Sequence, residues 1–185
     1  MKVQINKGTT PIVSPAVVIS VGDWEESNLI TLAWVARVVS EPPVMSVSIR
    51  PSRHSYSIIE KSKEYVINVP FTHQLREMDF CGTRTGRDMD KWSELNLTKA
   101  KASFVSVPLI KEFPINIECK VIDTMKLGTH VIYFGEVLAV NVDEELLLDN
   151  RLNPLKQDQI AYIAGHYHGL IKEPLKKHGF SMKDK

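Results

Sequence analysis

The sequence predicts a mainly β protein with short helices, folded as a closed or nearly closed antiparallel barrel. Three observations predict it. Apolar residues recur with period two through the first two thirds of the chain, which marks half-buried strands. The two longest alternating runs are joined by a short glycine-bearing connection, a hairpin signal. Helical spacing is confined to three short stretches lying between strands, as in barrels and meanders.

The elements follow in order. Residues 17–21 are a largely β-branched run, and residues 28–36 a second, near-continuous apolar stretch read as one strand. Residues 44–49 alternate cleanly, with Met45, Val47 and Ile49 on one face. Tyr65, Ile67 and Val69 alternate with Val66 and Asn68. Ile115, Ile117, Cys119 and Val121 form one face of a later strand. Ile132, Phe134, Leu138, Val140 and Val142 form one face of the next, across Lys126-Leu127-Gly128-Thr129. Ser55 reads as the N-cap of a short helix over 56–61. Leu75, Met78 and Cys81 recur at helical spacing, as do Met89, Trp92 and Leu95, a stripe that reads as core. Residues 1–185 read as a single domain. Residues 152–185 show no strand pattern and read as an arm that packs over the barrel or a partner subunit.

Bulk composition narrows the function. The 185 residues carry 23 basic and 22 acidic side chains, a formal net charge of +1. Nucleic-acid binding normally leaves a basic excess, and no strand interleaves aromatic and basic residues, so an oligonucleotide-binding barrel is disfavoured. The longest uncharged run, residues 8–22, contains two prolines and is shorter than the ~20 apolar residues of a membrane helix. With no signal-peptide pattern at residues 1–10, the expected location is the cytoplasm and no membrane partner is expected. The two cysteines, Cys81 and Cys119, form no Cys-x-x-Cys pair and read as small buried residues.

Two segments read as anion cradles. Arg50-Pro51-Ser52-Arg53-His54-Ser55 leaves a strand and enters a helix. It offers two guanidinium groups, two hydroxyls and free backbone N–H groups, which suit a phosphate. It reads equally as a solvated loop whose serines cap the helix. Residues 81–92 place Arg84, Arg87 and Lys91 near two glycines that permit unusual backbone angles. This is neither of the common nucleotide-binding glycine fingerprints, and a mobile surface loop is the plainer reading. Asn28 and Trp34, six residues apart on one strand, point to the same side and could hold a flat heteroaromatic ligand; a turn asparagine and a core tryptophan is the simpler alternative. His130 opens the last long strand, within reach of a phosphate or a ring edge. His166 and His168 lack a third ligand at a diagnostic spacing, so no metal is expected. No nucleophile–base constellation is identifiable, and no catalytic side chain is named.

Taken in order, these segments resemble the flavin reductase-like family, and within it the flavoredoxins. The resemblance runs over about residues 10 to 170 and rests on an ordered set. Its members include Asn28-Leu29-Ile30-Thr31-Leu32-Ala33-Trp34, the 50–56 segment, Cys81-Gly82-Thr83-Arg84-Thr85-Gly86-Arg87-Asp88 and Gly128-Thr129-His130-Val131-Ile132-Tyr133-Phe134-Gly135. It implies an FMN-binding split barrel that works as a homodimer, with FMN near the subunit boundary. Positions matching the family's flavin contacts are Asn28, Trp34, Ser55, Lys91 and His130; Ser55 stands where the family often has Thr. Under that reading Ser52, Arg53 and Ser55 hold the FMN phosphate, with Lys91 or Arg87 adding charge and Arg50 beside them. Asn28 bonds a polar edge and Trp34 forms a wall. A C-terminal aromatic, Tyr167 or Tyr162, covers the flavin. The resemblance implies an oxidoreductase passing electrons from NAD(P)H or a ferredoxin-like protein through FMN to an acceptor. A non-catalytic FMN-binding electron carrier is the alternative.

Overall fold

The computed structural model describes every residue except Thr10, Lys172, Asp184 and Lys185. The chain opens with β1 (Ser14–Pro15), β2 (Val17–Gly22), β3 (Ser27–Leu32), β4 (Val35–Ser40) and β5 (Pro43–Ile49). Helix α1 (His54–Ser62) precedes β6 (Glu64–Val69), and α2 (Leu75–Thr83) and α3 (Lys91–Glu94) follow. Two short strands, β7 (Lys99–Ala100) and β8 (Leu109–Ile110), lead into the long hairpin β9 (Ile115–Leu127) and β10 (His130–Val142). The order ends with β11 (Leu147–Leu148), β12 (Arg151–Leu152), β13 (Ile160–Ile163) and β14 (His166–Gly169).

Seven strands form one antiparallel sheet in the order β3-β2-β6-β9-β10-β5-β4. The sheet closes on itself as a barrel, because all seven strands contribute to one interior. Its core holds Ile19 and Val21, Ile30, Val35, Val47 and Ile49, Tyr65 and Ile67, Cys119, and Val131 and Tyr133, with Ile59 of α1 filling one end. The two edge strands, β3 and β4, are joined through Ala33 and Trp34, and the barrel is split there. A second cluster lies outside the β2–β3 side, where Val18 and Leu29 meet Met78 and Cys81 of α2 and Trp92 of α3. β2 is therefore buried on both faces. No described helix is long and apolar enough to cross a membrane.

Several sequence expectations need correction. The 28–36 stretch is two strands, because the chain breaks at Ala33 and Trp34 and the Trp34 carbonyl accepts from Ser48 N–H at 3.1 Å. In β10 the interior face is carried by Val131 and Tyr133, not by Ile132 and Phe134. Register shifts after Phe134 and after Val137 change which residues share a face, as bulges do. Helix α1 begins at His54 with Arg53 at its N-cap and no capping side chain, so Ser55 lies inside the helix. The 88–95 stretch yields only the single turn of α3, capped by Asp90, whose carboxylate accepts from Trp92 N–H at 3.0 Å.

The C-terminal arm contains strands after all. β13 and β14 pair through a turn at Ala164 and Gly165, and β13 pairs with β1. The resulting small sheet lays Tyr162 and Tyr167 against the α2 cluster. Cys81 and Cys119 are free and buried, and burial pushes both thiols up to about 12.

Candidate functional site

Two adjoining cavities flank β3 and α2, the smaller also meeting α1 and the larger meeting β5, β10 and the β13–β14 hairpin. The smaller, of about 160 Å³, is lined by Asn28, Ser52, Arg53, Ser55, Arg87 and Lys91, with His54, Arg84, Thr85 and Gly86. The larger, of about 300 Å³, is lined by Trp34, Arg50, Arg53, His130 and Tyr167, with Leu32, Thr31, Ser48 and Tyr162. Ile30, Arg53 and Gly82 belong to both walls. Every residue singled out from the sequence as a ligand contact thus lines one cavity or the other. The segments around 28–34, 50–55, 81–91, 130 and 167 are far apart in sequence; the barrel brings them together.

The smaller cavity is a polar, cationic cup. The N-terminus of α1 opens onto it, and a helix start favours anions through its free N–H groups and dipole. Asn28 Nδ2 donates to Ser55 Oγ at 2.8 Å, and Ser55 is 1% exposed. Since the Ser55 oxygen is the acceptor, its own proton is left for another partner. Arg87 donates to the Ser52 carbonyl at 3.3 Å. Among the described residues the one ion pair joins Lys63 to Glu60 at 3.0 Å. The guanidinium groups of Arg50, Arg53, Arg84 and Arg87 therefore carry charge that no carboxylate neutralises at contact.

Lys91 departs from expectation. It is 3% exposed, and its ammonium donates to the carbonyls of Leu29 at 2.8 Å and Cys81 at 2.7 Å. Burial, with the charge of Arg53 adding to it, holds the ammonium below the usual lysine value. Lys91 ties α2 to β3 from beneath the cup, with one N–H left beyond its two carbonyl partners.

The glycines of this segment also act differently than expected. Neither Gly82 nor Gly86 has a left-handed backbone; both are needed for space. A Cβ at Gly86 would lie 2.1 Å from Asn28 Oδ1, and one at Gly82 3.0 Å from Thr31 Cβ.

The larger cavity is bounded by aromatic and apolar surface. Trp34 does not share a side with Asn28, because the strand breaks before it; it is 54% exposed and packs on His130, with centroids 4.4 Å apart. Arg50 Nε donates to His130 Nε2 at 3.3 Å. Burial and the Arg50 charge hold the imidazole below its usual value. Both C-terminal tyrosines line the cavity, 5.7 Å apart, and the Tyr167 hydroxyl donates to Asp79 at 2.9 Å. Tyr162 and the two glycines of the 81–92 segment belong to readings the sequence offers, whereas Asp79, which anchors the Tyr167 hydroxyl, carries no signal in it. Among the described residues no three His, Cys, Asp or Glu side chains cluster as metal ligands.

Comparison with known proteins gives the family and the fold. The flavin reductase like domain matches residues 10–170. An uncharacterised protein of Pyrococcus abyssi is 34% identical over 143 residues, covering 77% of this chain and 81% of that one. The flavoredoxin of Desulfovibrio vulgaris (Miyazaki F) superposes with a TM-score of 0.91 at 28% identity, covering 99% of this chain and 100% of that one. The flavoredoxin of Methanosarcina acetivorans gives 0.88 at 25% identity, covering 98% and 99%.

Proposed function

The chain belongs to the flavin reductase-like family, and from that premise we propose that it binds FMN across the two cavities and serves as an oxidoreductase. The observation that carries this reading is the pairing of unlike compartments through a shared wall of Ile30, Arg53 and Gly82. FMN likewise joins a phosphate to a flat heteroaromatic ring by a short polar chain. The residues fit the group: the Ser55 hydroxyl proton, the α1 N–H groups, Ser52, Arg53 and Arg87 suit the phosphate. Trp34, Tyr162 and Tyr167 suit a ring.

The flavin supplies the redox chemistry, accepting electrons or hydride and passing them on. The protein's residues bind and orient. Asn28 fixes the Ser55 oxygen so that its proton faces the anion. Lys91 pins the floor and adds positive potential. The aromatic side chains exclude water from the ring. No side chain is required to act as acid or base, and none is proposed.

We further propose a homodimer. Across the sheet Met125 lies opposite Ile132, and Ile132 opposite Ser48, while Leu127 lies opposite His130. Met125 and Leu127 are exposed, and Ser48 and His130 line the larger cavity. An apolar patch is thus continuous with the site, where a second copy of the chain would cover both.

One experiment addresses both proposals: FMN-loaded protein is sized by sedimentation equilibrium and mixed anaerobically with NADH or NADPH. A dimer that bleaches its flavin and turns over with excess acceptor is expected. A monomer mass contradicts the dimer. Reduction by a ferredoxin-like protein but by neither nicotinamide replaces the enzyme with a non-catalytic electron carrier.

A further inference from the structure

We infer that Arg50 raises the reduction potential of the flavin proposed above, and that His130 and Thr129 are the residues that aim it; the inference rests on the flavin reading. Arg50 stands apart from the other cations of the site. It lines the larger cavity alone, whereas Arg53 lies on the wall shared by both cavities and Arg84, Arg87 and Lys91 line only the phosphate-suited cup. One phosphate does not need a fifth cation at a distance, so the charge of Arg50 faces the ring compartment.

Its placement is held by a short chain of contacts. Arg50 Nε donates to His130 Nε2 at 3.3 Å. An imidazole nitrogen accepts only when it carries no proton, so the His130 proton resides on Nδ1. Thr129 Oγ1 lies 2.9 Å from that Nδ1 and takes its proton as acceptor. Arg50 thereby sets the tautomer, the Thr129 hydroxyl anchors the Nδ1–H edge so that Nε2 stays turned to Arg50, and Trp34 packs on the ring from one side. With Nε engaged, the terminal nitrogens of Arg50 retain four N–H donors. No carboxylate lies within ion-pair distance of them among the described residues.

The consequence is electrostatic. Two-electron reduction of a bound flavin with uptake of one proton adds one negative charge to the ring. An uncompensated positive charge beside the ring favours the reduced form over the oxidised form. A contact that only bound the ring would favour both forms equally and leave the potential unmoved. Thr129 and His130 act through Arg50 and are positioning residues.

The test measures FMN affinity by titration and the midpoint potential by dithionite reduction against a reference dye, for wild type, Arg50→Gln, Arg50→Lys and Thr129→Val. In Arg50→Gln, binding of reduced FMN is expected to weaken about tenfold more than binding of oxidised FMN. That ratio lowers the potential by about 30 mV for a two-electron couple. Arg50→Lys keeps the charge and restores most of the potential, and Thr129→Val gives a smaller shift in the same direction. Equal weakening of both forms in Arg50→Gln, or no weakening, overturns the role of Arg50. A wild-type potential in Thr129→Val overturns the positioning chain. Wild-type protein that takes up no oxidised FMN overturns the flavin reading itself, and does so before any potential is measured.

Discussion

Gly86→Ala is expected to raise the dissociation constant for FMN about ten- to hundredfold, or about 1.4–2.8 kcal/mol, with little change in thermal stability. The added Cβ would lie 2.1 Å from Asn28 Oδ1. An exposed amide would simply swing away. Asn28 is 7% exposed and donates to Ser55 at 2.8 Å, so moving it breaks that bond and releases the Ser55 hydroxyl from its orientation. The loss falls on the anion cup because Gly86 sits in a loop outside the helices and strands. Flavin-fluorescence titration with a parallel thermal melt checks it. An unchanged dissociation constant would show that the Asn28–Ser55 pair is not part of the binding site.

Glu118→Gln is expected to destabilise the fold by about 2–3 kcal/mol at neutral pH, the scale for leaving buried donors without acceptors. Glu118 is 0% exposed. Its carboxylate accepts from Ser103 N–H at 3.0 Å, Phe104 N–H at 2.7 Å and Asn141 Nδ2 at 2.9 Å, pinning the 103–105 loop to β9 and β10. A glutamine would turn an NH₂ group toward donors that need an acceptor. Burial pushes this carboxyl up, but the donors from Ser103, Asn141, Phe104 and Val105 together outweigh it and hold it below the usual value. A group lowered in the folded state adds stability that is complete above its unfolded value, about 4.3 for glutamate. That stability is lost as pH falls through the lower folded value. Urea midpoints for wild type and variant should therefore differ by a constant amount from pH 8 to about 6, and converge in strong acid. Equal midpoints at pH 7 would remove Glu118 from the stability argument.

Glu118 also illustrates what the sequence conceals. The alternation of Ile115, Ile117, Cys119 and Val121 displays one face of β9, and that face is indeed directed into the protein through Ile117 and Cys119. The opposite face is also covered, by a loop whose contacts come from residues 103–109. Periodicity reports one buried face well and a second poorly. The two anion-suited segments are legible because their residue types are local: guanidinium groups, hydroxyls and a helix start within residues 50–55, three cations and two glycines within residues 81–92. Their meeting in one place depends on strand order, which local patterns do not carry.

Lys91 shows the same limit at one side chain. Its charge suggested a phosphate partner, yet its two acceptors are carbonyls of β3 and α2, 62 and 10 residues away. The β13–β14 hairpin carries no clear strand pattern for a related reason. Its strands are four residues each, the second alternates histidine with tyrosine, and they depend on β1, about 145 residues earlier, for a third strand. Along an unbroken strand Asn28 and Trp34 would share a side; the break at Ala33 sends them to different cavities.

The central claim, that the two joined cavities hold FMN, is tested most directly by the visible absorption spectrum of the purified protein. The measurement is made before and after adding FMN, with the cofactor released on denaturation identified by chromatography. The account predicts a bound-flavin spectrum and FMN as the released species. A colourless protein that takes up no added FMN would contradict it.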